Sequence, residues 1–245
     1  MLALLLALQD PLGAAPDTVR PRHNALNHDI AIVVGDSGSH ILGLVQTTWL
    51  LASSDPVEVP FDSAFRVVRV LTDGEGERRL GRITFALNRG GGVYIPHHRQ
   101  AGDTLHTSIR YHGSPREGLI FRTDSGGRRT VFADNWPDRA HRWLPITDHP
   151  ADKATVDLHI EVPPGMVVIA NGVRRKVDTL PRGRLVWHFR MAQPIPSYGI
   201  VFGAGPLVTT TLPDAACEIK CVPLTLLTYA GDSAWAVNGP FARAG

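Results

Sequence analysis

The chain has 245 residues, 25 basic against 23 acidic side chains, a 43% hydrophobic share and a 20% charged share. That balance excludes a disordered or fibrous chain and lacks the concentrated basic face that a nucleic-acid binder needs. The 24 glycines and 19 prolines predict many turns and short strands rather than long helices.

Met1 to Leu8 is an apolar run far too short to span a bilayer, which takes about 20 residues. It resembles the centre of a secretory signal, with Ala14-Ala15 as a small-residue cleavage region and without the positively charged start. Residues 1–21 are therefore read as a clipped signal peptide and linker, with a buried apolar arm as the alternative. On the first reading the mature protein works outside the cytoplasm, secreted or periplasmic. No later apolar run is long enough to predict a transmembrane segment.

The segments His28 to Val34 and Ile41 to Leu51 flank Gly35-Asp36-Ser37-Gly38 and predict a hairpin. Phe65 to Leu71 and Leu80 to Leu87 flank Asp73-Gly74-Glu75-Gly76 and predict a second. Thr104 to Tyr111 alternates. Leu119 to Arg122 and Arg129 to Phe132 flank Ser125-Gly126-Gly127, a third hairpin. Ala154 to Val162 is the clearest strand: Val156, Leu158, Ile160 and Val162 share one face, Asp157, His159 and Glu161 the other. Met166 to Ala170 runs into Asn171-Gly172, a tight-turn pair. Leu185 to Met191 and Ile200 to Val208 continue the pattern. From Gly231 the chain changes character, and Asp232 or Ser233 is positioned to cap a helix. The expected fold is all-β: twisted, mostly antiparallel sheets forming a saddle-like sandwich over residues 22–228, with 229–245 beginning something else.

The usual catalytic signatures are missing: there is no H-E-x-x-H, no Gly-Lys-Ser/Thr phosphate loop and no G-x-S-x-G elbow. Gly90-Gly91-Gly92 precedes no helix pattern and reads as a loop. Cys217 and Cys221 sit four apart on a strand-like segment, about 13 Å if straight, which is too far for a disulfide. They read as inert thiols, or as a disulfide if the chain bends between them. His97-His98 has no third ligand nearby in sequence, so no metal site is assigned. Asp148, His149 and Asp152 could form an acid–base set, yet with Pro150 and Lys153 they read better as a turn held by its own side chains. The pairs Arg78-Arg79, Arg128-Arg129 and Arg174-Arg175 read as solvated hairpin tips.

The stretch from Val131 to Thr155 is the most unusual, with two of the five tryptophans between strands. Long aromatic-rich loops commonly carry binding function. Trp136, among polar neighbours, is the better candidate for a binding surface; Trp143 reads equally well as core.

The ordered set Arg139-Ala140-His141-Arg142-Trp143-Leu144-Pro145, Asp148-His149-Pro150, Asp152-Lys153-Ala154-Thr155, Val162-Pro163 and Val168-Ile169-Ala170-Asn171-Gly172 resembles the amino-terminal domain of the aminopeptidase N family of gluzincin zinc metallopeptidases. Pro194-Ile195-Pro196-Ser197-Tyr198, Val201-Phe202-Gly203-Ala204-Gly205 and the early His28-Asp29-Ile30 follow in the family's order. The resemblance implies a saddle domain covering a thermolysin-like catalytic domain whose zinc ligands, an H-E-x-x-H pair and a distal Glu, and whose Gly-x-Met-Glu-Asn stretch lie beyond Gly245. It implies that the full-length parent removes amino-terminal residues from peptides with a zinc-bound water. This chain alone would hold no zinc or other cofactor and no catalytic residue, with residues 229–245 as the start of the catalytic domain. Its partners would be a peptide's amino terminus and that missing domain.

The family's saddle domain offers one polar side chain to the substrate's amino group, about a dozen residues before the Asp of the Asp-x-Pro turn. Counting back from Asp148 reaches Trp136, with Asp134 and Asn135 beside it. Asn135 is taken first, since its carbonyl oxygen accepts from an ammonium; Asp134 offers charge and Trp136 a ring face for a cation. Asp148, Pro150 and Lys153 are expected to be structural. The alternatives are a stand-alone peptide- or protein-binding β module, or a carbohydrate binder using Trp136 and Trp143.

Overall fold

Alternating apolar and polar residues and closely spaced turns produce seventeen strands among the described residues. The computed structural model describes residues 21–73, 80–82, 86–87, 92–212 and 224–239. The Met1–Leu8 run, Ala14-Ala15, Arg78-Arg79, Gly90-Gly91, Cys217 and Cys221 lie outside them.

In chain order the strands are β1 (Asn24–Val34), β2 (Ile41–Leu50), β3 (Val57–Val59), β4 (Phe65–Asp73), β5 (Leu80–Arg82), β6 (Ala86–Leu87), β7 (Val93–Ile95), β8 (Thr104–Gly113) and β9 (Leu119–Thr123). There follow β10 (Arg129–Ala133), β11 (Lys153–Val162), β12 (Val167–Ala170), β13 (Val173–Thr179), β14 (Leu185–Pro196), β15 (Phe202–Gly205), β16 (Leu207–Leu212) and β17 (Leu224–Tyr229). A short helix, α1 (Ser233–Asn238), closes the described chain. Asp232 takes its N-cap position without a side-chain bond to the helix, while the Ser233 hydroxyl donates to Ala230 O. No helix among the described residues is long and apolar enough to cross a membrane.

The protein is all-β, as expected. Eight strands form one sheet in the order β13-β14-β11-β1-β2-β8-β4-β5, and a second sheet runs β12-β15-β10-β9. A three-stranded β3-β7-β6 sheet and the β16-β17 pair complete the set. The hairpins β1–β2 and β9–β10 form where expected. One pairing departs from the antiparallel rule: β11 lies parallel to β1, with His28 opposite Val156 and Ile30 opposite Leu158. Leu80 to Leu87 is not one strand, because β5 joins β4 in the large sheet while β6 pairs with β7 elsewhere. Asn171-Gly172 closes no hairpin either: β12 pairs with β15, and β13 with β14 in the other sheet. Gly172 has φ +83°, and a Cβ there would lie 2.1 Å from Arg190 O, so the crossing between sheets needs glycine.

The inward face of β11 supplies Val156, Leu158, Ile160 and Val162 to a single hydrophobic core. Ile30 and Ile32 of β1, Ile109 of β8, and Val131, Val168 and Ala204 of the second sheet join it, so the two large sheets share one interior. Two buried polar pairs in that interior are bonded across strands: Trp49 Nε1 donates to Thr107 Oγ1 at 2.9 Å, and His28 Nδ1 meets Thr47 Oγ1 at 2.9 Å. Burial lowers the His28 pKa to about 4.

The arginine pairs within the described residues are not merely solvated tips. Arg129 donates to Gly35 O at 2.6 Å and to Gly38 O, and Arg184 donates to Val34 O at 2.7 Å while pairing with Glu161 and Asp36. The two guanidiniums thus pin the β1–β2 turn from both sheets. Arg128 pairs with Asp124 at 2.6 Å and lies over the Tyr229 ring. Arg174 and Arg175 lie within β13, not at a turn.

Candidate functional site

The connection from β10 to β11 is built around Asn135. Its Nδ2 donates to Ile200 O at 2.6 Å, and its Oδ1 accepts from Trp143 Nε1 at 2.8 Å. Its backbone carbonyl accepts from Arg139 N at 2.8 Å, which opens the 3-10 turn Ala140–Arg142. Asn135 is 1% exposed. The side chain taken first as a substrate ligand is thus turned into the fold, with both ends of its amide engaged there.

Trp143, 0% exposed, sits beneath this turn against Phe202, ring centroids 5.8 Å apart. Its carbonyl accepts from Tyr111 Oη at 2.8 Å. Gly118 makes room for it: φ is +78°, and a Cβ there would lie 2.8 Å from Trp143 Cδ1. Trp143 is therefore core, and the carbohydrate reading loses one of its two rings.

Asp134 and Trp136 flank the buried amide and face outward. Trp136 is 64% exposed. Its ring stands edge-on to Tyr198 at 5.2 Å, and its bond to Pro137 is cis. Asp134 forms an exposed ion pair with Arg139 at 2.9 Å. The three predicted residues are adjacent in space as in sequence, but only Trp136 and Asp134 meet solvent.

Asp148 anchors the far end of the loop. It accepts from His141 N at 3.0 Å, meets His141 Nδ1 at 2.8 Å and accepts from Ser197 Oγ at 2.5 Å. Burial pushes its carboxyl pKa up, but the His141 ring, the Ser197 hydroxyl and the His141 amide together outweigh burial and hold it below the usual value. Asp152 accepts from Ala25 N at 2.9 Å, and there burial prevails and raises the pKa. His149 Nδ1 accepts from Ala151 N within the turn. Asp148 and Asp152 thus tie the loop to the distant Ser197 and Ala25, and His149 serves the turn itself, so the turn is not held by its own side chains alone and the three form no shared acid–base centre. The partner that sequence reasoning missed is His141, seven residues before Asp148.

Two clefts flank this loop. One, of about 490 Å³, is lined by Phe61, Asp62, Arg116, His141 and Arg142; the other, of about 350 Å³, by His23, Trp49, Glu58, Asp148 and His149. Among the described residues no group of three or more His, Cys, Asp or Glu is placed to hold one metal ion. His97, paired in sequence with His98, packs edge-on against His23 and accepts from Arg99 N.

The outer face of the second sheet carries an apolar row. Ile120, Phe132, Gly203 and Ile169 lie opposite one another across β9, β10, β15 and β12. Phe132 is 41% and Ile169 46% exposed.

Residues 88–198 match the family model of the Peptidase M1 N-terminal domain. A search of curated proteins gives no significant match. Among solved structures, the chain is similar to a two-domain M1 zinc metallopeptidase point variant bound to L-tryptophan, with TM-score 0.73 and 20% identity over 86% of this chain and 49% of that one. It is similar to the M1 zinc metallopeptidase from Deinococcus radiodurans, with TM-score 0.72 and 21% identity over 85% of this chain and 48% of that one. A variant from that organism bound to a Tyr-Ser-Ala substrate gives TM-score 0.74 and 20% identity, over 91% and 51%. The chain spans about half the length of these structures.

Proposed function

We propose that this chain, which carries a Peptidase M1 N-terminal domain over residues 88–198, is the amino-terminal β domain of a zinc-dependent aminopeptidase. Its task in that reading is to help hold the free amino end of a peptide and to cover a catalytic domain supplied by further polypeptide. Among the described residues no cluster supplies three zinc ligands, and in this reading hydrolysis is the work of the covered domain.

The observation that carries the substrate role is the exposed Trp136 ring on an anchored loop. The buried Asn135 amide joins the loop to Trp143 and Ile200, which anchors the backbone beside the ring. A peptide ammonium can lie against the π face of Trp136, with the Asp134 carboxylate beside it. Asn135 then acts as a positioning residue that sets where the ring stands. The apolar row of Phe132 and Ile169 supports the covering role, because contiguous exposed apolar surface marks contact sites.

The test is peptide binding to the 245-residue chain, followed by side-chain NMR of the tryptophans. A peptide with a free amino terminus should shift the Trp136 indole resonance, and the same peptide acetylated should not. Trp136→Ala should abolish the difference. Equal shifts from both peptides, or shifts confined to another tryptophan, would reject the amino-end reading.

A further inference from the structure

We propose that the outer face of β4 and β8 in the eight-stranded sheet docks on a lipid bilayer rich in anionic phospholipid. Three exposed arginines stand on it: Arg66, Arg69 and Arg110. Arg69 lies directly opposite Arg110, and Arg66 opposite His112. Among the described residues none of the three arginines pairs with a carboxylate.

A bulge assembles this cluster. Positions three apart on a regular strand face opposite ways, yet the register shift between Val67 and Arg69 adds one residue to β4. Val67 and Val70 therefore both turn inward, opposite the buried Tyr111 and Ile109, and Arg66 and Arg69 both turn outward.

Like charges directly opposite each other weaken a sheet, and the neighbouring rows do not offset them. From Arg110 the outer row continues through Leu44 and Ala31, and from His112 through Leu42 and Val33. Asp29 is two strands and one row from Arg110, about 12 Å away, which exceeds a screening length of about 8–10 Å. Asp29 also meets His159 at 3.1 Å. Farther across the face, Arg190 holds Asp157 at 2.7 Å and Arg184 holds Glu161 at 2.6 Å. The face is thus neutralised on its β11 side and left cationic at β4 and β8.

The chemistry of the patch suits phospholipid. A guanidinium fork takes phosphate oxygens two at a time, and His112, its ring 5.4 Å from that of His40, can add a donor. Leu42, 51% exposed on β2, and Val68, 56% exposed at the bulge, flank the arginines. Cationic groups with apolar side chains beside them match the boundary between headgroups and acyl chains. An open sheet face encloses no free anion, whereas a bilayer meets all of these groups at once.

The experiment is co-sedimentation of the 245-residue chain with vesicles of phosphatidylcholine, alone or with about 30% phosphatidylglycerol, whose charge should strengthen binding about 5-fold per surface arginine. The chain should bind the anionic vesicles and not the neutral ones. About 1 M NaCl, which shortens the screening length to about 3 Å, should release it. Arg69→Gln with Arg110→Gln should weaken binding about 25-fold, and adding Arg66→Gln about 100-fold, with circular dichroism confirming the fold. Arg122→Gln with Arg175→Gln removes the same charge from β9 and β13 and should cost less than about 3-fold. Equal losses from the two double variants would assign binding to net charge and overturn the proposal. So would no binding to anionic vesicles, binding to the neutral ones, or binding that survives loss of all three arginines. Tighter binding to soluble polyglutamate than to vesicles would also overturn it, by assigning the patch to an acidic protein segment.

Discussion

Replacing Asn135 with alanine tests the account of the loop most sharply. The substitution strips Trp143 Nε1 of its acceptor and Ile200 O of its donor, at a position 1% exposed. A buried group left unsatisfied costs about 1–3 kcal/mol, and the missing amide leaves a small void besides. The expected loss is about 3–5 kcal/mol, a large share of the roughly 5–15 kcal/mol that holds a domain together. In urea, followed by circular dichroism, this is a midpoint shift of about 1–2 M. The same substitution in a Trp143→Phe background should cost about 1–3 kcal/mol less, because no indole donor is left stranded. A loss below about 1 kcal/mol, or equal losses in both backgrounds, would refute a structural role for this amide.

Acid should weaken the fold through His28, whose pKa is about 4 in the folded chain and 6.5 unperturbed. The unfolded state takes up the proton first, so stability is full above about pH 6.5 and falls as pH drops toward 4. The His28 share of the loss is about 2 kcal/mol at pH 5, and His28→Asn should flatten that part of a stability–pH curve; an unchanged slope would contradict it. Gly172→Ala should destabilise by about 2 kcal/mol or more, since its Cβ would meet Arg190 O at 2.1 Å with φ +83°; a melting temperature within a degree of wild type would count against the tight crossing. Trp136→Ala should leave stability within about 0.5 kcal/mol, because the ring is mostly in solvent, and a large thermal shift would show that it packs more than it presents.

Strict alternation made β11 plain from the residues, because one of its faces is core and the other is not. By contrast β13 left no pattern, since Val173 to Thr179 is an edge strand without an inward apolar face. Nor could sequence reveal that β11 lies parallel to β1. That pairing joins residues about 128 apart, and alternation sets which face is buried, not which neighbour a strand chooses. The same limit governed the site. The polar run Asp134-Asn135-Trp136 marked the right place, yet the partners that turn Asn135 inward are Trp143 and Ile200, one of them on a distant segment. A buried indole needing an acceptor was the available signal. His159 was legible as an outward residue, but its meeting with His188 across β11 and β14 depends on strand register alone.

The central claim is that this chain is the covering domain of a zinc aminopeptidase, and the most direct measurement is the coding sequence beyond Gly245. The account predicts an open frame that continues through a Gly-x-Met-Glu-Asn stretch to an H-E-x-x-H pair and a distal Glu. A stop codon directly after Gly245, with no adjoining frame encoding those ligands, would contradict it.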